Sequence, residues 1–133
     1  MTSAEQLNRA RAFLTKAEEY LASAEDNLIA ERFTPAAGDA IHAGISAKDA
    51  IATALTGTTV KVKDHAAAAK ELKTALGTRP EATNAEKALR QLISAKGDVE
   101  YGTALITKVK ADPLVRRARS LVDLAIRIVR LGG

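Results

Sequence analysis

Residues 34 to 57 read Thr-Pro-Ala-Ala-Gly-Asp-Ala-Ile-His-Ala-Gly-Ile-Ser-Ala-Lys-Asp-Ala-Ile-Ala-Thr-Ala-Leu-Thr-Gly. Thr34 followed by Pro35 has the form of an N-cap and a first-turn proline. Ala37, Ile41, Gly44, Ile45, Ile51, Ala52 and Leu55 then recur with a helical period until Gly57 ends the segment. The residues are small and apolar, so the expected product is a helix that neighbours can approach closely.

The pattern extends in both directions. Before it, Leu7, Ala10, Leu14, Ala17, Leu21, Ala24 and Leu28 alternate at spacings of three and four, which predicts a first helix from about Ser3 to Glu31. Thr2 and Glu5 are placed as its capping box. The turn to the second helix is short, so the two are expected to run antiparallel. After Gly57, the threonine-rich basic stretch to Lys63 is read as a loop.

Asp64 then caps a third helix carrying Ala68, Ala69, Leu72 and Leu76, stopped by Gly77. Past Arg79 and Pro80, Thr83 and Glu86 form a second capping box before Leu89, Leu92 and Ile93, and Gly97 breaks or bends this fourth helix. Val99, Tyr101, Leu105 and Ile106 follow neither period, so residues 98 to 111 are expected to be mostly irregular. Asp112 and Pro113 restart a helix whose stripe is Leu114, Ala118, Leu121, Val122, Ala125, Ile128 and Val129. The expected fold is a single all-α domain over residues 1 to 133, an antiparallel bundle of four to five helices.

A chain of 133 residues is one domain's length and can bury roughly two thirds of its unfolded surface. Cysteine is absent, which excludes disulfides, thiolate nucleophiles and cysteine zinc sites, and fits a reducing compartment. Met1 to Gln6 has no signal-peptide character, and charges interrupt every stretch approaching the ~20 apolar residues of a membrane span. The expectation is therefore a cytoplasmic protein without membrane contact. Aromatics make up 3% of the chain, too few for a base-stacking platform. Residues 1–57 hold 5 Lys/Arg against 8 Asp/Glu, or −3, whereas residues 58–133 hold 15 against 8, or +7, together the net +4. An acidic partner would meet the second half.

Three stretches resemble the small HEPN (higher eukaryotes and prokaryotes nucleotide-binding) domains: the alanine-rich helix from Asp39 to Ile51, His65 at the head of the third helix, and Leu92 to Gly102 with its late acidic-tyrosine pair. That resemblance implies a HEPN-like helical bundle that often dimerises, so a homodimer is expected. It also implies toxin–antitoxin, defence or RNA-processing settings, with a cognate nucleotidyltransferase or antitoxin as a possible partner. HEPN ribonucleases carry an arginine four to six residues before a histidine. Here Arg32 lies ten before His42, and only Lys61 and Lys63 closely precede His65. No catalytic residue carries over, so the resemblance implies a non-catalytic module engaging nucleic acid, a nucleotide or a cognate protein.

Several residues are candidates in their own right. Lys48 falls at the centre of the second helix's apolar stripe, where its ammonium meets a carboxylate or anionic ligand inside the bundle, or snorkels to water, or lies on a stripe that faces a dimer partner. Asp39, His42, Ser46 and Asp49 share a polar side of that helix, a poor metal set and a poor triad, best read as a half-exposed face. His65, with Lys61 and Lys63, could form a phosphate-binding helix start, or be an ordinary helix-start histidine. Arg116, Arg119, Arg127 and Arg130 share one sector of the last helix and could track phosphates, although Asp123 is spaced to pair with Arg119 or Arg127. Glu100 and Tyr101 could line a cleft at the fourth-helix break, with Tyr101 otherwise expected in the core. The rival readings are an enzyme using His65, Lys96 and Glu100, and a structural adaptor binding protein through an apolar face. No metal or cofactor is expected.

Overall fold

The computed structural model describes residues 3–60 and 65–132, His65 by its backbone alone. Six helical elements occur among them: α1 (Ala4–Ile29), α2 (Phe33–Thr56), α3 (His65–Leu76), α4 (Ala82–Ser94), the short α5 (Lys96–Tyr101) and α6 (Lys108–Arg130). The all-α expectation holds, and several boundaries differ from those expected.

At the start of α1 the cap is Ser3, whose hydroxyl accepts the Gln6 amide at 3.0 Å. The expected Thr2 to Glu5 box would rest on Thr2, which lies outside the described residues. α1 ends in a Schellman motif. The Arg32 amide reaches the Asn27 carbonyl at 2.8 Å and the Glu31 amide reaches that of Leu28 at 3.1 Å. Glu31 takes the left-handed position with φ 62°, where glycine is usual and a side chain is strained.

Arg32, not Thr34, precedes α2. Pro35 falls within the first turn, where its missing N–H costs no helical bond. The Thr34 hydroxyl accepts instead from the Ile106 amide at 3.3 Å, tying the loop before α6 to the head of α2. α2 does stop at Gly57, which is left-handed with φ 88°. The second expected capping box is not formed: Glu81 precedes α4 and leaves Thr83 inside the helix.

α4 breaks at Ala95, two residues before Gly97, which lies within α5. Of residues 98 to 111, only 102–107 is non-helical, and α6 begins at Lys108 with Pro113 inside it. A proline in the second turn frees the carbonyl of Val109, four residues back. Val109 is 85% exposed, so water can satisfy that carbonyl and the helix continues.

The core is built around α2, which buries thirteen residues on nearly all sides, most of them alanine. Gln6 on α1 bonds the carbonyls of Thr53 and Ala54, while Ser23 and Asn27 meet Asp39, so α1 and α2 are antiparallel as expected. α6 departs from the fully antiparallel expectation. Thr34 lies beside Ile106, Gly44 faces Leu121, and Ala54 and Leu55 share a cleft with Ile128 and Val129, so α6 runs parallel to α2. The physical reason is the connection after Gly57, which turns back along α2 until Thr59 reaches Lys48 and so takes the place of a returning helix. α3 and α4 form a hairpin on the flank, and α4 is antiparallel to α6.

Candidate functional site

Lys48 is 2% exposed. Its ammonium lies 2.7 Å from Glu71 on α3, 2.7 Å from Asp49, 3.1 Å from the Thr59 hydroxyl and 3.4 Å from the Val60 carbonyl. The Thr59 hydroxyl donates to Asp49 at 2.7 Å, and the Val60 amide donates to Glu71 at 3.0 Å. Of the two readings of Lys48, the buried ion pair is therefore the one observed, and snorkelling is excluded. Three ammonium donors already face four oxygens, so none is left for an external anion. This group fastens the loop after α2 onto α2 and α3.

The polar side of α2 disperses. Asp39 accepts from Ser23 at 2.6 Å and Asn27 at 3.1 Å, Ser46 is buried, and Asp49 belongs to the Lys48 group. The His42 ring stacks on Tyr20 with centroids 5.1 Å apart, and its Nε2 lies 3.8 Å from Glu100 on α5. These residues do not converge on one point, as a nucleophile, base and orienter must. Among the described residues no three His, Asp or Glu side chains gather as a metal set.

Glu100 thus faces α2, but Tyr101 is 79% exposed, which corrects the expectation that it joins the core. Lys96 opens α5, on the same helix as Glu100. Lys61 and Lys63, like the capping Asp64, lie outside the described residues. His65 begins α3, and its side chain lies outside them too.

The arginine row of α6 is split. Arg119 bonds Glu25 on α1, which raises the affinity of the guanidinium for its proton, first through the hydrogen bond and then through charge. Arg130 forks onto Glu18 of α1 at 2.6 and 3.0 Å. These bonds cross from helix to helix, in place of the pairing with Asp123 that spacing within α6 suggested. Arg116 pairs with Asp112 at 3.4 Å. Arg127 has no carboxylate partner among the described residues.

Arg116 and Arg127 lie on the other flank of α6, along its crevice with α4. One part of the crevice, about 340 Å³, is bordered by Ala88, Arg116, Arg117 and Ser120, and the next, about 150 Å³, by Glu81, Asn84, Ser120 and Arg127. Ser120 borders both, so the two clefts adjoin along α6. Arg117, whose Nε donates to Gln91 of α4 at 2.5 Å, was not singled out from the sequence, because only the presence of α4 gives that flank a wall. Glu81 Oε2 is buried there without a hydrogen-bond partner among the described residues.

At one end of the bundle, α5, the 102–107 loop and the start of α6 carry Tyr101, Leu105 and Val109, of which the last two are 86% and 85% exposed. Lys110 lies 2.7 Å from Asp98 and holds that carboxyl below the usual carboxylate range, through its hydrogen bond and then its charge. Among the described residues no helix is long and apolar enough to cross a membrane. No family model, no curated protein and no solved structure matches this chain.

Proposed function

We propose that the chain is a non-catalytic, HEPN-like binding module that associates with nucleic acid weakly and without sequence preference. The supporting observation is the α4–α6 flank, where Arg116 and Arg117 border one cleft and Arg127 the adjoining one, in the basic half of the chain. Arg116 and Arg127 are eleven residues apart on a straight helix, roughly 16 Å at 1.5 Å per residue, which suits successive phosphates rather than one nucleotide.

Guanidinium forks match phosphate oxygens, and Ser120 and Asn84 add polar groups between them. Glu81 opposes binding and limits affinity. Three phosphate-binding side chains without base recognition correspond to non-specific association, with Kd on the order of 10⁻⁴ M at physiological salt. A homodimer would present two such grooves and gain by avidity. The nucleotidyltransferase or antitoxin setting implied by the resemblance is compatible with such a module.

The expected result is binding of labelled single-stranded and duplex oligonucleotides at low salt, with no cleavage products on electrophoresis. Gln at Arg116, Arg117 and Arg127 should lower the slope of log K against log salt by roughly 0.7 to 0.9 for each phosphate that is no longer neutralised. Gln at Arg119 and Arg130 should change it little, because those side chains reach across to Glu25 and Glu18 of α1, away from the α4–α6 flank. Absence of binding at low salt would refute the reading, and metal-independent cleavage would overturn its non-catalytic part.

A further inference from the structure

A second surface has different chemistry. Tyr101, Leu105 and Val109 are 79%, 86% and 85% exposed, and Ile29, at the end of α1 that the same end of the bundle presents, is 81% exposed. Single bare apolar residues are ordinary, whereas four large ones carried by the elements at one end of the bundle point to an interaction surface. The loop between them is not loose: the Ile106 amide bonds Thr34, and Ile106 itself is buried. Leu105 and Val109 are thus held outward on either side of a fixed anchor. Beside them the 102–107 loop, with Asp98 and Lys110, borders an open cleft of about 370 Å³.

The charge at this lip is asymmetric. The first turn of α6 contains no acid, Thr107 does not cap it with its side chain, and Lys108 and Lys110 stand there instead. Asp98 is engaged by Lys110, Asp112 by Arg116, and Glu100 faces His42, so the nearby carboxylates are turned to partners within the fold. Lys108 remains at the edge of the apolar surface, at the positive pole of a 23-residue helix.

We propose that this end of the bundle docks a protein segment that sets carboxylates beside two or three large apolar side chains. Leu105, Val109 and Tyr101 receive the apolar groups, and Lys108 receives the acid. The apolar contacts supply affinity, while the rim charge steers approach and discriminates against basic or neutral segments. Leu105, Val109, Tyr101 and Lys108 border neither α4–α6 cleft, so variants at these positions test this surface without touching the arginines of the nucleic-acid reading.

The test is selection of a displayed random dodecapeptide library on the full chain, followed by anisotropy titration of the enriched peptides as synthetic probes. Enriched peptides should combine Asp or Glu with Leu, Phe or Trp. Leu105→Asp should weaken them by more than tenfold, and Lys108→Glu should weaken them severalfold and flatten their salt dependence. A probe with lysine in place of its acid should bind Lys108→Glu better than it binds the original protein. Both positions are at the surface, so the Leu105→Asp melt should match the parent and that of Lys108→Glu, an acid at a helix N-terminus, should be no lower, which separates lost docking from lost folding. Peptides without acids that ignore Lys108→Glu, or no enrichment at all, would overturn the proposal. So would a twofold mass in light scattering that Leu105→Asp reduces to one chain, since a second copy would then occupy the surface.

Discussion

Lys48→Met should destabilise the fold by about 3 kcal/mol, the lower part of the range for breaking a buried ion pair. The substitution is close in size and suits a helix, so neither volume nor propensity opposes it. The loss comes from what remains: Glu71 and Asp49, each 21% exposed, keep their charges without the ammonium between them. Partial exposure lets water reach both carboxylates, which is why the upper part of the range is not expected.

Urea unfolding reads this as a lower midpoint at unchanged slope. Adding Glu71→Met to Lys48→Met should recover much of the loss, because removing both charges also removes the unpaired carboxylate. Asp49 would still hold the Thr59 hydroxyl. An unchanged midpoint for Lys48→Met alone would show that the ammonium contributes nothing net, and that the loop after α2 is fastened by Thr59 and the Val60 amide instead.

Lys48 also shows how far a sequence can be read. Its position on the stripe of α2 marked it as the residue needing a partner, yet Glu71 stands 23 positions later, beyond a loop whose path no periodicity reveals. The arginines of α6 repeat the difficulty. A helical wheel places Arg116, Arg119, Arg127 and Arg130 in one sector, and within that helix the placement is correct. It cannot show that Glu25 and Glu18, 94 and 112 residues earlier, draw Arg119 and Arg130 toward α1.

The longer helices were legible because their apolar residues recur with a 3.6-residue period, whereas α5, which buries no residue and so carries no such signal, was not, and helix ends were less so. Ser3 and Glu81 stand where Thr2 and Thr83 were expected, since caps are worth only about 1 kcal/mol each and tertiary contacts readily shift them. The direction of α6 relative to α2 depended on the return of residues 57–60 along α2, a matter of tertiary bonds to Lys48 and Glu71.

Gly44 on α2 faces Leu89 and Leu92 of α4 and Leu121 of α6. A methyl placed there would lie 2.6 Å from Leu92 Cδ1, but only in ordinary contact with Leu121 and Leu89, at 3.5 and 3.7 Å. Leu92 is therefore the neighbour that must shift to admit a side chain at this position. Leu92 is fully buried, so Leu92→Ala should cost about 2 to 5 kcal/mol through lost transfer energy and the cavity left behind. Gly44→Ala should cost up to about 2 kcal/mol, the strain of displacing Leu92 exceeding the roughly 1 kcal/mol gained by replacing a helical glycine. In the Leu92→Ala background the obstruction is gone and the same methyl occupies part of the cavity. There Gly44→Ala should stabilise by about 1 kcal/mol, so its effect changes sign between the two backgrounds. Four denaturation curves close this cycle. Equal destabilisation by Gly44→Ala in both backgrounds would place the obstruction in the helix backbones rather than in Leu92, and the approach of α2 to α4 would then be set by main-chain packing.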